Sequence, residues 1–324
     1  MKDRPLLVTG AAGFVGARFV ESCAGRGLPV VSVDRAELFR SRPEHAGIAF
    51  GEIVDRDALG SWLGERGAGL RAIVHLGACT DTTETDRTLL QRLNVDASKF
   101  LWRFATAARL PFVYASSAAT YGAGTQGWDD DPDLIPKLEP LNPYGASKQE
   151  FDLWALAEER EGRHPPVWSG FKFFNVYGFG ERHKGRMASV VLQAFDQIRA
   201  RGSVRLFRSH RPGIADGEQK RDFVHVDDVV AVLHFALAKP VRRGIFNLGT
   251  GHARSFLDLA RAVFAALRVP EQIEFIDTPA DIRERYQYFT EARMERLRAE
   301  GWERPFTPLE EGVRRTVERL LLEG

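Results

Sequence analysis

Apolar residues along this chain fall into short continuous runs separated by longer stretches with helical spacing. Residues 6–9 (Leu-Leu-Val-Thr) form the first run, and a helix-spaced pattern follows to about Ser22. Further runs lie at 29–33, 48–53, 72–78 and 111–115, with helical stretches at about 55–65 and 86–108. Continuous apolar runs, as opposed to strict apolar–polar alternation, mark parallel strands buried on both faces. Strands and helices in alternation predict an α/β fold, a doubly wound parallel sheet with helices on both sides. A later strand-like run at 171–174 enters a loop, and residues 220–228 return the chain to the first unit.

Composition narrows the picture. The 324 residues are 44% hydrophobic and 27% charged, which suits a globular protein large enough for one α/β domain and an appended lobe. Lys and Arg number 45 against 44 Asp and Glu, a net charge of +1, so no basic field points to nucleic acid or a membrane surface. Two cysteines, Cys23 and Cys79, give neither a disulfide framework nor a metal cluster and suit a reducing compartment. Met1-Lys2-Asp3-Arg4-Pro5 leads straight into the first strand with no signal-peptide pattern and no apolar run of ~20 residues, so a cytoplasmic protein is expected.

The chemistry begins in the first turn. Gly10, Gly13 and Gly16, with Phe14 and Val15 among them, lie between a strand and a helix. In that context Gly10 permits a tight turn, Gly13 lets a pyrophosphate approach the backbone, and Gly16 lets helix and strand pack closely. The second strand ends at Asp34, about 20 residues on, where an acid holds the adenosine ribose. Arg35 follows it, a guanidinium suited to a 2′-phosphate, so NADP and NAD carry nearly equal weight. Ile53 could flank the adenine, and Leu76-Gly77-Ala78 would let a cofactor lie close. His75 sits in an apolar run and reads as a packed core histidine. Asn94 falls within a long helical stretch, where a solvent-facing residue is the simpler reading.

Asn142-Pro143-Tyr144-Gly145-Ala146-Ser147-Lys148 opens a helix. Pro143 suits its first position and Asn142 its cap. Tyr144 and Lys148, four apart, share a face. An ammonium near a phenol favours the phenolate and lowers its pKa, readying it to exchange protons with a hydroxyl. Alone the pair is common, and an ordinary exposed pair is the simpler reading. Ser116 and Ser117, however, end the fifth strand, where residues face the ligand crevice of such sheets.

The glycine turn, Ser116-Ser117-Ala118-Ala119-Thr120-Tyr121-Gly122 and Tyr144-x-x-x-Lys148 together resemble the extended short-chain dehydrogenase/reductase family, over essentially the whole chain. The resemblance implies a Rossmann-type cofactor domain, residues 1–175 with about 221–250, and a smaller C-terminal substrate-binding lobe, about 176–220 and 251–324. It implies a Ser117–Tyr144–Lys148 triad around a nicotinamide, with Lys148 on the nicotinamide ribose and Asn94 also on the cofactor. Ala118-Ala119 stands where sugar-nucleotide dehydratases carry an Asp-Glu pair, which argues against dehydration. Phe173-Phe174-Asn175-Val176-Tyr177-Gly178 and His183-Lys184-Gly185-Arg186-Met187-Ala188-Ser189-Val190 resemble the branch that inverts C6 of an ADP-linked heptose, a precursor of the lipopolysaccharide core. Cys79–Glu84, Gly244–Gly251 and Arg285–Thr290 are similar to that branch as well.

That likeness assigns Lys184 as a second acid/base close to the cofactor, and Tyr144 as the first. Without it, Lys184 in a basic run reads as a surface or phosphate-binding lysine. It also implies that Val176 contacts the cofactor. Ser116, Asn175, Arg186, Gln193, Phe207, Arg221 and Tyr286 would contact the substrate, with Arg221 on the diphosphate. An ion pair with a neighbouring acid is the rival reading of Arg221. Three features depart from the resembled pattern: Arg186 for a small serine, Gln193 for a histidine, and a longer segment at 208–217. The resembled enzymes are homo-oligomers. The alternatives are another NAD(P)-dependent nucleotide-sugar 4-epimerase or reductase and, more distantly, a non-catalytic NADP-binding regulator.

Overall fold

The computed structural model describes residues 4–239, 243–279, 283 and 286–322. The chain-start residues Met1–Asp3 and the motif residue Arg285 lie outside the described set. In chain order the strands are β1 (Leu6–Thr9), β2 (Val30–Asp34), β3 (Glu52–Asp55), β4 (Ala72–His75), β5 (Phe112–Ser117), β6 (Trp168–Phe173), β7 (Asn175–Tyr177), β8 (Val204–Phe207), β9 (Lys220–His225), β10 (Gly244–Leu248), β11 (Ala253–Ser255) and β12 (Ile273–Ile276). Seven of them form one sheet in the order β10-β6-β5-β4-β1-β2-β3. Every pairing in it is parallel. The α/β architecture expected from the sequence is therefore present.

The pleat sorts the apolar residues. Leu6 and Val8 point into one core with α1 (Phe14–Gly25) and α8 (Val226–Ala238). Leu7 points the other way, into a core with Ile73, Phe112 and the buried face of α5 (Ala97–Ala107) and α6 (Pro143–Arg160). A third core lies in the C-terminal lobe, where α7 (Val190–Arg201), α9 (Phe256–Leu267) and the last helix (Leu309–Leu321) pack around β8. Beside it, β7, β9 and β11 form a three-stranded sheet and β8 pairs with β12.

Strand order reverses between β1 and β4: the chain lays β2 and β3 on one side, then β4, β5 and β6 on the other. Ligands of open parallel sheets bind at such a reversal, beyond the carboxyl ends of the strands. Here the glycine turn meets the end of β4. Gly10 has φ +67°, and a Cβ on it would stand 2.6 Å from the Gly77 nitrogen. The sheet can close at this point only with a residue that lacks a side chain.

Two elements differ from expectation. The third strand begins at Glu52, not at residue 48. Gly51 just before it has φ +67°, and a Cβ there would lie 2.3 Å from the Val30 carbonyl oxygen. That bend ends the preceding apolar run before pairing begins. The long helix after β4 starts at Arg87, capped by Asp86, whose Oδ1 accepts from the Thr88 and Leu89 nitrogens at 2.9 and 3.0 Å. It then passes through a π-helical turn at Gln91–Asp96 before α5. Such turns are inserted where a side chain must be re-aimed.

Gly16 tests the packing of the first turn. An alanine would gain about 1 kcal/mol of helix propensity. Its Cβ, however, would sit 2.0 Å from the Gly10 carbonyl oxygen, and backbone cannot yield there. Overpacking costs typically about 1–3 kcal/mol, so Gly16→Ala should lower the unfolding free energy by up to about 2 kcal/mol net in a denaturant titration. A stabilised variant would contradict this account.

Candidate active site

The crevice at the strand reversal is built from four pieces of chain. The first is the glycine turn. Gly13 precedes α1 with no side-chain cap, and no acid occupies the first turn of that helix. Its opening N–H groups are thus left for an anion, as a dinucleotide pyrophosphate requires. At the end of β2, Asp34 Oδ2 accepts from the Ala12 nitrogen at 3.2 Å and Oδ1 from the Arg35 nitrogen at 2.9 Å. Burial raises its pKa, and those two bonds and the Arg42 and Arg56 charges oppose the rise. Arg35 is exposed and lies 3.6 Å from Glu37. Arg42 donates to the Ala12 carbonyl. Ile53 is exposed at the sheet edge. The glycine cradle and uncapped helix fit a dinucleotide.

The second piece is the end of β5 with the start of α6. Asn142 caps α6, its Oδ1 accepting from the Gly145 nitrogen at 2.7 Å, and Pro143 takes the first position. Tyr144 and Lys148 are both buried on one face. Ser117 is hydrogen-bonded to the Tyr144 side chain. Lys148 Nζ donates to the Ala115 carbonyl at 2.9 Å, one residue before Ser116. Burial raises the Tyr144 pKa, and the Ser117 bond opposes it. Its place on the helix makes Lys148 the group expected to lower the Tyr144 pKa; instead its ammonium is turned to a strand carbonyl, and Ser117 supplies the downward pull. Lys148 itself is lowered to about 8 by burial, against the attraction of Asp152.

The third piece lies beneath these residues. Asp152, one helical turn beyond Lys148, is fully buried. It accepts from Tyr114 Oη at 2.9 Å, Ser116 Oγ at 2.7 Å and Lys172 Nζ at 2.7 Å. Lys172 Nζ also donates to Thr120 Oγ1 at 2.8 Å, and Thr120 donates to the Ser117 carbonyl at 2.8 Å. Ser116 is therefore a correction. Neighbouring strand residues face opposite ways, so Ser117 points to the crevice and Ser116 into this network, where it cannot touch a substrate. Asn94 is another. It is buried in the π-helical turn, and its amide clamps the Cys79 nitrogen and carbonyl at 2.8 and 3.0 Å and Ser147 Oγ at 2.9 Å. It does not face solvent, and it fixes the loop after β4. His75 is the packed histidine expected, held by Thr9 at 2.6 Å and Ser98 at 2.8 Å, with its pKa lowered to about 3 chiefly by burial. Leu76 and Gly77 sit half-buried beside the glycine turn, their nitrogens donating to the carbonyl and hydroxyl of Thr9; Ala78, also half-buried, follows them.

The fourth piece is the loop after β7. Lys184 Nζ lies 5.4 Å over the Phe14 ring and 3.6 Å from the buried Glu181 carboxylate. Glu181 in turn accepts from the Ser189 nitrogen at 2.8 Å and from its hydroxyl. Arg186 is exposed and donates to Thr83 Oγ1 at 2.8 Å, joining this loop to the one after β4. Gln193 donates to the Arg186 and Ala188 carbonyls at 3.1 and 2.9 Å, so its amide nitrogen holds the loop. Asn175 is exposed and Val176 half-buried at the start of the loop.

Arg221 lies on β9, with its guanidinium 5.4 Å from the Tyr286 ring centre and 5.5 Å from that of Phe256. It donates to the Lys220 carbonyl at 2.9 Å and to the Gln287 carbonyl. Among the described residues no carboxylate pairs with it, so the ion-pair reading fails. Phe207 packs edge-on against Tyr286, completing an aromatic wall. Of the residues that matter, Asp152 left a trace in the sequence, extending the Tyr144–Lys148 face by one turn. Glu181 and Thr120 left none. No helix among the described residues is long and apolar enough to cross a membrane.

A sheet that reverses its strand order beside a glycine turn, with a phenol and an ammonium at the same crevice, belongs to the nicotinamide-dependent Rossmann enzymes. More narrowly, the chain is a member of the NAD dependent epimerase/dehydratase family, whose profile matches residues 6–249. It is 43% identical over 329 aligned residues to an ADP-L-glycero-D-manno-heptose-6-epimerase of Fusobacterium nucleatum, covering 98% of both chains. Among solved structures it resembles the Helicobacter pylori ADP-L-glycero-D-manno-heptose-6-epimerase, with a TM-score of 0.81, 26% identity and coverage of 99% and 97% of the two chains. It also resembles a Thermus thermophilus UDP-glucose 4-epimerase complexed with NAD, with a TM-score of 0.78, 26% identity and coverage of 98% and 99%.

Lys148 gives a pH prediction. Its folded pKa near 8 lies below the ordinary 10.5. Below about 8 both folded and unfolded states carry the charge, and the cost of burying it is fully present. Between these values the unfolded chain holds more proton, so this residue's contribution to stability rises with pH. Unfolding free energies of the cofactor-free protein and of Lys148→Met should therefore shift in favour of the native sequence between about pH 7.5 and 10. A difference that stays flat, or moves the other way, contradicts the buried-ammonium assignment.

Proposed function

We propose that this protein inverts C6 of ADP-D-glycero-D-manno-heptose, giving ADP-L-glycero-D-manno-heptose, through a transient 6-ketone and with NADP as its cofactor. The observation that carries this reading is Lys184. It sits on a loop separate from the Tyr144 helix, yet its ammonium lies over Phe14, which is within the glycine turn and the first residue of α1. Full-length likeness to heptose epimerases at 43% identity points the same way. Residues 1–175 with about 221–250 hold the cofactor, and the remainder forms the substrate lobe. A cytoplasmic location and self-association go with the reading.

The bound nicotinamide supplies the acceptor and then the donor of hydride. Its positive ring beside Tyr144 would lower the phenol pKa that burial raises. Tyr144 takes the proton of the C6 hydroxyl in one orientation of the sugar, and Ser117 holds the reacting oxygen. Lys148 supports the nicotinamide ribose. Once the ketone presents its other face, Lys184 carries the proton. Arg221, clamped by two aromatic rings, grips the diphosphate with a planar fork. Tyr286, Phe207 and Asn175 line the sugar-nucleotide side, and Arg186 bridges its rim.

A UDP-sugar 4-epimerase is the second reading, favoured by the likeness to the Thermus structure. Incubation with ADP-D-glycero-D-manno-heptose, followed by NMR of the C6 configuration, separates the two. Inversion is expected; turnover of UDP-glucose in its place would sink the first reading. Tyr144→Phe and Lys184→Met should each lower kcat by about 10²–10⁴, the usual range for an acid/base group, while NADP still binds. Near-normal turnover in Lys184→Met would remove the second acid/base.

The 2′-phosphate assignment rests on Arg35 and Arg42 flanking Asp34. Arg35→Ala should weaken NADP binding by about tenfold, as expected of one charge-assisted contact, and leave NAD binding within about twofold. Equal losses for both cofactors would show that Arg35 does not read the 2′ position.

A further inference from the structure

One buried side chain joins the segment after β2 to the loop that carries Lys184. Glu44 lies in a single helical turn at Pro43–His45 and is 6% exposed. Its Oε1 accepts from the backbone nitrogen of His183 at 3.2 Å and from its ring Nδ1 at 2.7 Å. His183 immediately precedes Lys184. The Glu44 carbonyl accepts from Arg18 Nη2 at 3.1 Å. Two residues before Glu44, Arg42 reaches into the glycine turn, where it donates to the Ala12 carbonyl and lies within the field of Asp34. The turn is tied together internally: the His45 nitrogen bonds the Arg42 carbonyl and the Ala46 nitrogen the Pro43 carbonyl, both at 3.0 Å.

We propose that Glu44 is a positioning residue that couples occupancy of the adenosine end of the dinucleotide site to the placement of Lys184. The proposal rests on the reading of Lys184 as an acid/base group. Two sites are coupled only if a ligand at one makes different contacts in two states of the link. Arg42 meets that condition. With Asp34 engaged by a ribose, its guanidinium exchanges a backbone carbonyl for a phosphate oxygen. The turn it anchors moves with it, and Glu44 transmits the shift to His183 and so to Lys184. Displacement of a reacting group by about 1 Å can cost as much as a hundredfold in rate. An apolar contact in place of Glu44 would transmit far less, because it has no directional bond to the backbone of the loop.

The loop reports its own position, because Arg182, Lys184 and Arg186 are sites for trypsin and two of them are exposed. NADP should slow wild-type cleavage after these residues by about tenfold or more, as the open form is depleted. In Glu44→Leu the slowing should fall below about twofold, with NADP affinity kept within about threefold and kcat lowered at least about tenfold at little cost in KM. Glu44→Gln keeps the acceptor and should restore both protection and kcat, which a loss of general stability would not do. His183→Ala removes the 2.7 Å ring half of the link and keeps the 3.2 Å backbone half, so it should lose part of the protection and part of kcat, even where Glu44→Leu folds poorly. Wild-type protection and kcat in His183→Ala or a folded Glu44→Leu overturns the proposal. The protection assay needs no sugar. Failure to epimerise the heptose would remove the functional reading and leave the coupling standing, whereas epimerisation without NADP protection of the loop would remove the coupling alone.

Discussion

The geometry of the candidate active site depends on one buried ion pair. Asp152 and Lys172 meet at 2.7 Å with both side chains wholly buried. They join three elements that sequence keeps apart: β5, β6 and α6. An ion pair in the interior is a poor source of net stability, because desolvation offsets most of the attraction. Its value here is in direction. Tyr114, Ser116 and Thr120 satisfy the remaining lone pairs and protons, so each bond fixes a backbone position. Two of those positions flank Ser117, and the acid stands on the helix of Tyr144 and Lys148. Ser117 is thereby held against Tyr144 from both sides, while its own hydroxyl accepts from the Ala119 nitrogen at 3.1 Å.

The same pair acts on charge. Asp152 is the principal attraction opposing the loss of the Lys148 proton, which burial would otherwise drive further. Lys172 in turn balances Asp152. A neutral residue at 152 would leave two buried ammonium groups on adjoining elements with no carboxylate between them. The network is better understood as an electrostatic partition: one carboxylate shared between a structural lysine and a functional one, in a region where water cannot screen either.

Much of this was legible in the sequence, for identifiable reasons. Parallel strands buried on both faces leave continuous apolar runs, so β1, β2 and β5 appear within a residue or two of their positions, while β4 ends three residues before its expected run does. The cap on α6 is local chemistry, and Asn142 and Pro143 carry it plainly. What failed to show depends on contacts far apart in the chain. Ser116 and Ser117 are chemically identical in sequence, and only the pleat, fixed by Asp152 36 residues away, decides which one faces the crevice. Asn94 looked like a mid-helix residue because no local signal marks a π-helical turn. Its role comes from Cys79 and Ser147. The third strand started late because Gly51 bends the chain around the Val30 carbonyl, which is again a long-range encounter.

The two residues proposed as proton carriers are held in different ways, and the difference suits what the proposal asks of each. Tyr144 sits on a long helix bolted to the sheet by the Asp152 network and by Ser117. Lys184 sits on a loop whose anchors are polar and distributed: Glu181 beneath it, Glu44 beside it through His183, and Thr83 across the crevice through Arg186. Epimerisation by a transient ketone requires the sugar to turn between two half-reactions, so the site cannot be rigid on every side. A fixed wall carrying Tyr144 and a hydrogen-bonded, adjustable wall carrying Lys184 meet both demands. Under the proposed reaction, the fixed wall would set the distance for hydride transfer, and the adjustable wall would let the intermediate reorient without leaving.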